Sequence, residues 1–148
     1  MNASQRLDTL ADELQTYELG DIVELNIGRT PPRGEDRYWT TNVERPFCTI
    51  SDMTAPRIYP AREGVTELAE REGKARRVPA GALLMSFKLT IGRTAVAGRD
   101  LFPNEAIVWI RPREDAPVSQ DYLRLYLSAY DYAAVSYTHL TLPTICSV

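Results

Sequence analysis

The chain has 148 residues, the length of one domain, and its 44% hydrophobic and 25% charged residues are ordinary for a soluble globular protein. Cys48 and Cys146 are far apart and form no CxxC pattern, which argues against a disulfide framework and against a zinc site. No apolar run is long enough to cross a bilayer, and no secretion leader opens the chain, so we expect a cytoplasmic protein.

The formal net charge of −3 conceals an uneven distribution of charge along the chain. Residues 25–113 hold fifteen Lys and Arg against ten Asp and Glu, a net charge of +5, whereas residues 1–24 carry −5 and residues 114–148 carry −3. A basic middle between acidic flanks is compatible with binding to a polyanion. A solvated surface without any partner would show the same pattern, and charge alone favours that alternative.

Apolar residues near the start of the chain recur at helical spacing and predict a helix over residues 4–17: Leu7, Leu10, Ala11, Leu14 and Tyr17. Gly20 closes this segment. Apolar and polar residues then alternate over residues 23–27, which is the period of a half-buried strand. Glycines and prolines in residues 28–34 forbid both a helix and a regular ladder, so this segment is a predicted loop.

Four short apolar runs predict further strands, at residues 47–50, 82–87, 91–97 and 106–110. The charged residues 62–74 predict a helical turn or a surface excursion, and residues 78–81 predict a turn. Ser119 is the expected cap of a helix that runs through about Tyr132, with its apolar face at Leu123, Tyr126, Leu127 and Tyr130. These elements indicate an α+β fold, in which short mixed or antiparallel strands form a twisted sheet with flanking helices.

The end of the chain resembles a sequence of technical origin. Residues 135–144 read VSYTHLTLPT, which resembles the conceptual translation of a transposase adapter used in shotgun DNA sequencing. On this resemblance, residues 135–148 are a non-native tail, the native frame is interrupted near Ala134, and His139 and Cys146 have no function. The alternative is a genuine β-branched strand at the C-terminus.

Catalytic motifs are missing from the sequence. Ser51-Asp52 has no histidine in the native part of the chain to activate the serine, so a turn or helix cap is the better interpretation. Cys48 lies in a predicted strand and is most simply a small buried residue. The chain has no GxGxxG loop, no GxxxxGK[ST] loop and no cluster of metal ligands. We therefore expect no catalytic residue, no cofactor and no metal site.

Five groups of residues, in order and at similar spacing, resemble the target-recognition domain of the specificity subunit (S subunit) of type I restriction–modification systems. They are Leu19-Gly20-Asp21-Ile22 followed by Gly28-Arg29-Thr30-Pro31 and Tyr38-Trp39; Ile50-Ser51-Asp52-Met53; Val78-Pro79-Ala80-Gly81 with Leu83-Leu84-Met85-Ser86 and Thr90-Ile91-Gly92-Arg93; Asn104-Glu105-Ala106-Ile107; and Asp121-Tyr122-Leu123. The resemblance implies a partial target-recognition domain at residues 19–134, and the apolar periodicity places an N-terminal helix before it, within residues 1–18. A whole subunit of the family is similar to two such domains joined by long helices that bind methyltransferase subunits, and we expect those helices to be absent here.

The resemblance implies a noncatalytic protein that binds double-stranded DNA and directs partner methyltransferase (M) and restriction (R) subunits to methylate or cleave it. Such a protein needs side chains that hold phosphates and side chains that read base edges. Two segments supply candidates: Arg29, Thr30, Arg33, Arg37 and Tyr38 in the first, and Ser86, Lys88, Thr90 and Arg93 in the second. We expect Arg29 and Lys88 to read bases and Arg33 to contact a phosphate. Core packing is the alternative for Tyr38 and Trp39.

Two other functions fit parts of this sequence. A protein–protein interaction module would use the basic middle of the chain to bind an acidic partner. A fragment of a DNA methyltransferase would need a glycine-rich cofactor loop and an Asn/Asp-Pro-Pro segment, and Thr30-Pro31-Pro32 lacks the acceptor carbonyl of that segment. Discrimination between duplex sequences would separate DNA recognition from protein interaction.

Overall fold

Short strands with a few helices make up the computed structural model, which describes residues 2–3, 15–130 and 144–147. In chain order the elements are β1 (Gln15–Glu18), α1 (Leu19–Ile22), β2 (Val23–Ile27), β3 (Trp39–Thr40), β4 (Phe47–Cys48), β5 (Arg57–Ile58), β6 (Gly64–Val65), α2 (Glu67–Arg71), β7 (Leu83–Ser86), β8 (Thr94–Ala97), β9 (Phe102–Pro103), β10 (Ile107–Pro112), α3 (Gln120–Ala129) and β11 (Thr144–Ser147), with 3₁₀ turns at Asp36–Tyr38 and Ile50–Asp52. The predicted α+β class is confirmed.

Five strands form the main sheet, in the order β2–β10–β7–β8–β5. Strand β10 is antiparallel to both of its neighbours, β7 is antiparallel to β8, and β5 joins β8 in parallel. Because of these directions, β2 and β7 end where β10 and β8 begin. We call this the loop end of the sheet, since the connecting loops of four strands meet there.

Strands β7 and β10 contribute side chains to a buried apolar cluster on each face of the main sheet. On one face, Leu123 and Leu127 of α3 pack in a buried cluster with Leu83, Met85 and Ile110. The opposite face has its own buried cluster, which includes Cys48, Ile58, Leu84, Ala97 and Ile107. A strand that is buried on both faces has a continuous apolar run instead of an alternating one, which explains the sequence of β7.

The most strongly patterned segments were predicted correctly. Strand β2 has its predicted bounds, residues 28–34 form a loop, and β7 lies within the predicted strand at 82–87. Ser119 caps α3, because its Oγ accepts a hydrogen bond from the amide of Tyr122 at 3.1 Å. The helix ends at Ala129, three residues before the predicted end.

Several predicted bounds were wrong for reasons that depend on the tertiary structure. The strand predicted at 47–50 stops at Cys48, since Asp52 accepts a hydrogen bond from the amide of Thr49 at 2.8 Å and closes a 3₁₀ turn. The strand predicted at 91–97 begins at Thr94 because Gly92, at φ 89°, belongs to the preceding turn.

Strand β2 lies at the edge of the sheet, and its Leu25 and Ile27 are 43% and 48% exposed.

Both ends of the chain lie largely outside the described residues. Residues 4–14 of the predicted N-terminal helix are not described, and residues 15–17 belong to β1, so the prediction of a helix as far as Tyr17 was wrong. Residues 144–147 form β11, which pairs antiparallel with β1. The foreign origin of residues 135–148 stays a prediction. In the described parts of the chain, no helix is both long enough and apolar enough to cross a membrane.

We expect removal of residues 135–148 to leave the melting temperature unchanged, because a ladder of two short strands such as β1 and β11 is marginal by itself. Circular dichroism during heating would compare the full chain with a chain that ends at Ala134. As a control, removal of everything from Gln120 onward deletes Leu123 and Leu127 from the core and should abolish cooperative unfolding. A clear drop in melting temperature after the shorter deletion would show that the tail is part of the folded domain.

Candidate nucleic-acid interface

The two segments predicted to contact DNA lie at the same end of the main sheet. The first loop, residues 28–34, follows β2, and the second loop, residues 87–93, joins β7 to β8. Between them lies the turn at residues 103–107, which leads into β10 and which we call the central turn. Two segments about sixty positions apart in sequence therefore contribute to one surface.

Backbone hydrogen bonds attach both loops to the central turn. The amides of Gly28 and Arg29 donate to carbonyl oxygens of the turn at 3.0 and 2.9 Å, and the amide of Phe87 donates to another at 3.0 Å. Gly28 is required at its position, because a Cβ atom there would overlap the carbonyl oxygens of Pro103 and Asn104. The relative position of the two loops is thus set by main-chain contacts.

Ser86 determines the shape of the second loop. Its side chain is fully buried, and its Oγ donates to the carbonyl oxygen of Thr90 and accepts from the amide of Arg93 at 3.1 Å. The amide of Gly92 also donates to the carbonyl oxygen of Ser86, at 2.9 Å. These bonds close the base of the loop and leave residues 88–91 exposed at its tip.

Three of the predicted cations, Arg29, Lys88 and Arg93, form no ion pair with a carboxylate in the described part of the chain. Arg29 donates to the carbonyl oxygen of Gly73 at 2.8 Å, and Arg93 donates to that of Ile50 at 3.3 Å. The ammonium group of Lys88 lies 5.7 Å from the centre of the Phe87 ring. A cation without a carboxylate partner can contact a phosphate without first breaking an ion pair.

The other two predicted arginines already have acidic partners. Arg33 lies 2.9 Å from a carboxylate oxygen of Glu63, and its guanidinium stacks 3.9 Å from the centre of the Trp39 ring. Arg37 lies 3.0 Å from a carboxylate oxygen of Glu35. Both arginine side chains are more than half exposed, so these ion pairs contribute little to stability and can be exchanged for another anion.

Tyr38 and Ser86 are both buried, which argues against a direct contact of either side chain with DNA. Tyr38 is 1% exposed, and its hydroxyl donates to a carboxylate oxygen of Glu72 at 2.7 Å, a bond that raises the pKa of the tyrosine. Ser86 is 0% exposed and shapes the second loop from inside. Trp39 is half-buried and packs edge-on against Phe47, with ring centres 5.0 Å apart. Core packing, the alternative for these aromatic residues, is confirmed.

Glu105 was missed as a site residue, although it belongs to the group Asn104-Glu105-Ala106-Ile107. Its carboxylate accepts a hydrogen bond from the hydroxyl of Thr30, so a side chain of the central turn contacts the first loop. That bond, its own backbone amide and the nearby charges of Lys88 and Arg33 hold the pKa of Glu105 below its usual range. The ionised carboxylate of Glu105 can therefore accept a hydrogen bond from the amino group of cytosine.

A cleft of about 570 Å³ extends the interface beyond the first loop. Its walls include Arg29 and Thr30 on one side, Gly73 and Lys74 on the other, and Glu105. Arg76 also lies at the loop end of the sheet, since it donates to the carbonyl oxygen of Ile27, the last residue of β2, at 2.9 Å. The signal for these two additional cations is the basic group Lys74-Ala75-Arg76-Arg77, of which only Lys74 belongs to the charged segment 62–74 singled out in the sequence.

The residues that were considered for covalent chemistry have structural roles. Cys48 is fully buried, and burial raises the pKa of its thiol to about 12, so the thiolate needed for nucleophilic attack is scarce at neutral pH. Asp52 accepts two hydrogen bonds from Arg62, each at 3.0 Å, in addition to the bond from Thr49. The interpretation of Cys48 as a small buried residue and of Ser51-Asp52 as a turn cap is confirmed.

The domain gathers loops, cations and carboxylates at a single end of its main sheet. The family is shown by comparison with known proteins. The model of the type I restriction modification DNA specificity domain matches residues 11–142, and the chain belongs to this family. The resemblance seen in the sequence is confirmed.

Solved structures share the fold. A chain from work on complex assembly and conformational transition of the type I R-M system is 18% identical, with a TM-score of 0.71 over 90% of this chain and 33% of that one. The HsdS subunit from Thermoanaerobacter tengcongensis is also 18% identical, with a TM-score of 0.62 over 90% of this chain and 32% of that one. This chain therefore spans about a third of the length of the solved chains it matches.

We expect Gly28→Ala to destabilise the domain by about 1–3 kcal/mol, because the new Cβ would force the first loop away from the central turn. The matched control is Gly34→Ala in the same loop, where a Cβ would have nothing within 4 Å. This control should be neutral or stabilising by up to about 1 kcal/mol, since alanine restricts the unfolded chain. Urea unfolding would measure both, and equal midpoints for the two variants would contradict the close contact at Gly28.

Proposed function

We propose that this chain is a DNA target-recognition domain of a type I specificity subunit, and that it binds double-stranded DNA with the first loop, the second loop and the central turn. The observation that carries the proposal is the convergence of Arg29, Lys88 and Arg93 at the loop end of the sheet, without carboxylate partners in the described residues. Membership of a DNA specificity family supports the choice of DNA as the polyanion.

Within this interface we assign Arg29 and Lys88 to base edges and Arg33 to a phosphate. The backbone of Arg29 is bonded to the central turn, and Lys88 follows a buried strand by two positions, so both side chains start from fixed points. A phosphate would replace Glu63 as the partner of Arg33. Thr30, Arg37, Thr90 and Arg93 complete the set of proposed contacts.

The domain has no catalytic role of its own in this proposal. Methylation and cleavage would be performed in the cytoplasm by partner M and R subunits, which the complete specificity subunit would bind and bring to the recognised sequence. The domain contributes the choice of site, because phosphate contacts set its position on the duplex and base contacts distinguish one sequence from another. A protein interaction module with an acidic partner would lack that discrimination.

We expect alanine substitutions at Arg29, Lys88 and Arg33 to have different effects on DNA binding. Arg33→Ala should weaken binding to all duplexes alike and make the salt dependence shallower by about one unit, because one phosphate contact is lost. Arg29→Ala and Lys88→Ala should each lose about 1–3 kcal/mol of discrimination at one base position. Fluorescence anisotropy would measure affinity for duplexes selected from a random library, at several salt concentrations.

Arg111→Ala is the matched control, because Arg111 lies at the opposite end of the main sheet, where it pairs with Glu24. It should leave both the affinity and the base preference unchanged. If the three loop variants behave like this control, the loops do not face DNA. Binding to an acidic protein together with equal affinity for all duplexes would favour the interaction module instead.

A further inference from the structure

Leu89 is unusual in both its exposure and its backbone conformation. Its side chain is 99% exposed, whereas the next most exposed large hydrophobic residue of the described chain, Tyr59, is 61% exposed. Leu89 is also the one described residue other than glycine with a positive φ, at 59°. L-residues with a side chain rarely adopt this conformation, and such strained residues tend to occur at binding sites.

The second loop holds Leu89 at its tip. Ser86 bonds to both Thr90 and Arg93 and thereby closes the loop on either side of the leucine. Main-chain bonds from Gly92 to Ser86 and from Phe87 to the central turn fix the same segment. The position of Leu89 thus follows from contacts around it, although its own side chain touches almost nothing.

Polar groups flank this apolar side chain. Lys88 precedes it with an ammonium group that has no carboxylate partner among the described residues, and the exposed Thr90 follows it with a hydroxyl group. The tip therefore presents a donor, an apolar group and a hydroxyl in succession. These groups complement the major groove of DNA, where the base edges present hydrogen-bond acceptors, donors and the methyl group of thymine.

We propose, on the basis of the DNA-binding function above, that Leu89 reads a thymine by contacting its 5-methyl group in the major groove. The major groove is wide enough for a two-stranded ribbon, and the second loop is the tip of the antiparallel pair β7 and β8. The minor groove is narrower and presents no methyl group. Leu89 therefore determines specificity, and Lys88 and Thr90 contact polar groups beside the same base.

The test replaces thymine with uracil, which removes only the 5-methyl group. The full chain would first select a preferred duplex from a random library, and each thymine of that duplex would then be replaced in turn. Loss of one buried methyl contact predicts that one replacement weakens binding by about fourfold. For Leu89→Ala the thymine and uracil duplexes should bind equally at that position.

Leu125→Ala is the matched control, because Leu125 is a 58% exposed leucine on α3, outside the loops. It should keep the full preference for thymine. Leu89→Asn tests whether the residue has a structural role instead, since asparagine tolerates a positive φ. We expect this variant to melt at the same temperature as the original chain or higher, and to lose the preference for thymine.

Three results would overturn the inference: no thymine in the selected duplex is sensitive to uracil, Leu89→Ala keeps the preference, or Leu89→Asn lowers the melting temperature while the preference persists. Uracil insensitivity together with a bent duplex would indicate that Leu89 is a wedge between bases.

If the chain selects no duplex at all, the proposed function fails as well. If it selects a duplex without methyl sensitivity, only the role of Leu89 fails.

Discussion

The main-chain hydrogen bonds between the central turn and the two loops determine the geometry of the whole interface. Strand β10 lies between β2 and β7 and runs opposite to both, so the start of β10 is adjacent to the points where the two loops begin. Gly28 permits the close approach of the first loop, and Phe87 ties the second loop to the same turn. Without these contacts, Arg29 and Lys88 would extend from unrelated positions on the surface.

The distribution of ion pairs explains how a chain with a net charge of −3 can present a basic surface. Several cations away from the loops have acidic partners: Arg77 bonds to both Glu70 and Asp100, Arg45 also reaches Glu70, and Arg111 pairs with Glu24. Among the described cations without such partners, Arg29, Lys88 and Arg93 lie together at the loop end of the sheet. Because salt screens charges beyond about 10 Å, this local arrangement matters more to a bound duplex than the total charge does.

The sequence predicted the elements whose signals are local. The bounds of β2, the continuous apolar run of β7 and the capping position of Ser119 need no knowledge of distant residues, and all three are as predicted. The burial of β2 is not, because Leu25 and Ile27 are exposed at the sheet edge. The pairing of β5 with β8 was not predicted, because a two-residue strand has no detectable period and exists only through its partner. The same limit applies to the short strands β3, β6 and β9.

The site was predicted less completely than the fold, for a related reason. Residue type made Arg29 and Lys88 candidates, but it could not distinguish exposed polar groups from buried ones such as Tyr38 and Ser86. Glu105 was missed because its importance depends on its bond to Thr30, 75 positions away. Leu89 was missed because an apolar residue beside a predicted strand is normally assigned to the core.

The central claim is that the first loop, the second loop and the central turn form one surface that contacts DNA. Hydrogen–deuterium exchange of the full chain, with and without a selected duplex, tests it directly. We predict slower amide exchange in residues 28–34, 87–93 and 103–107 on binding, with no change in α3 or in residues 111–116 at the far end of the sheet. Protection confined to α3, or an absence of protection in all three loop segments under conditions of saturated binding, would contradict the claim.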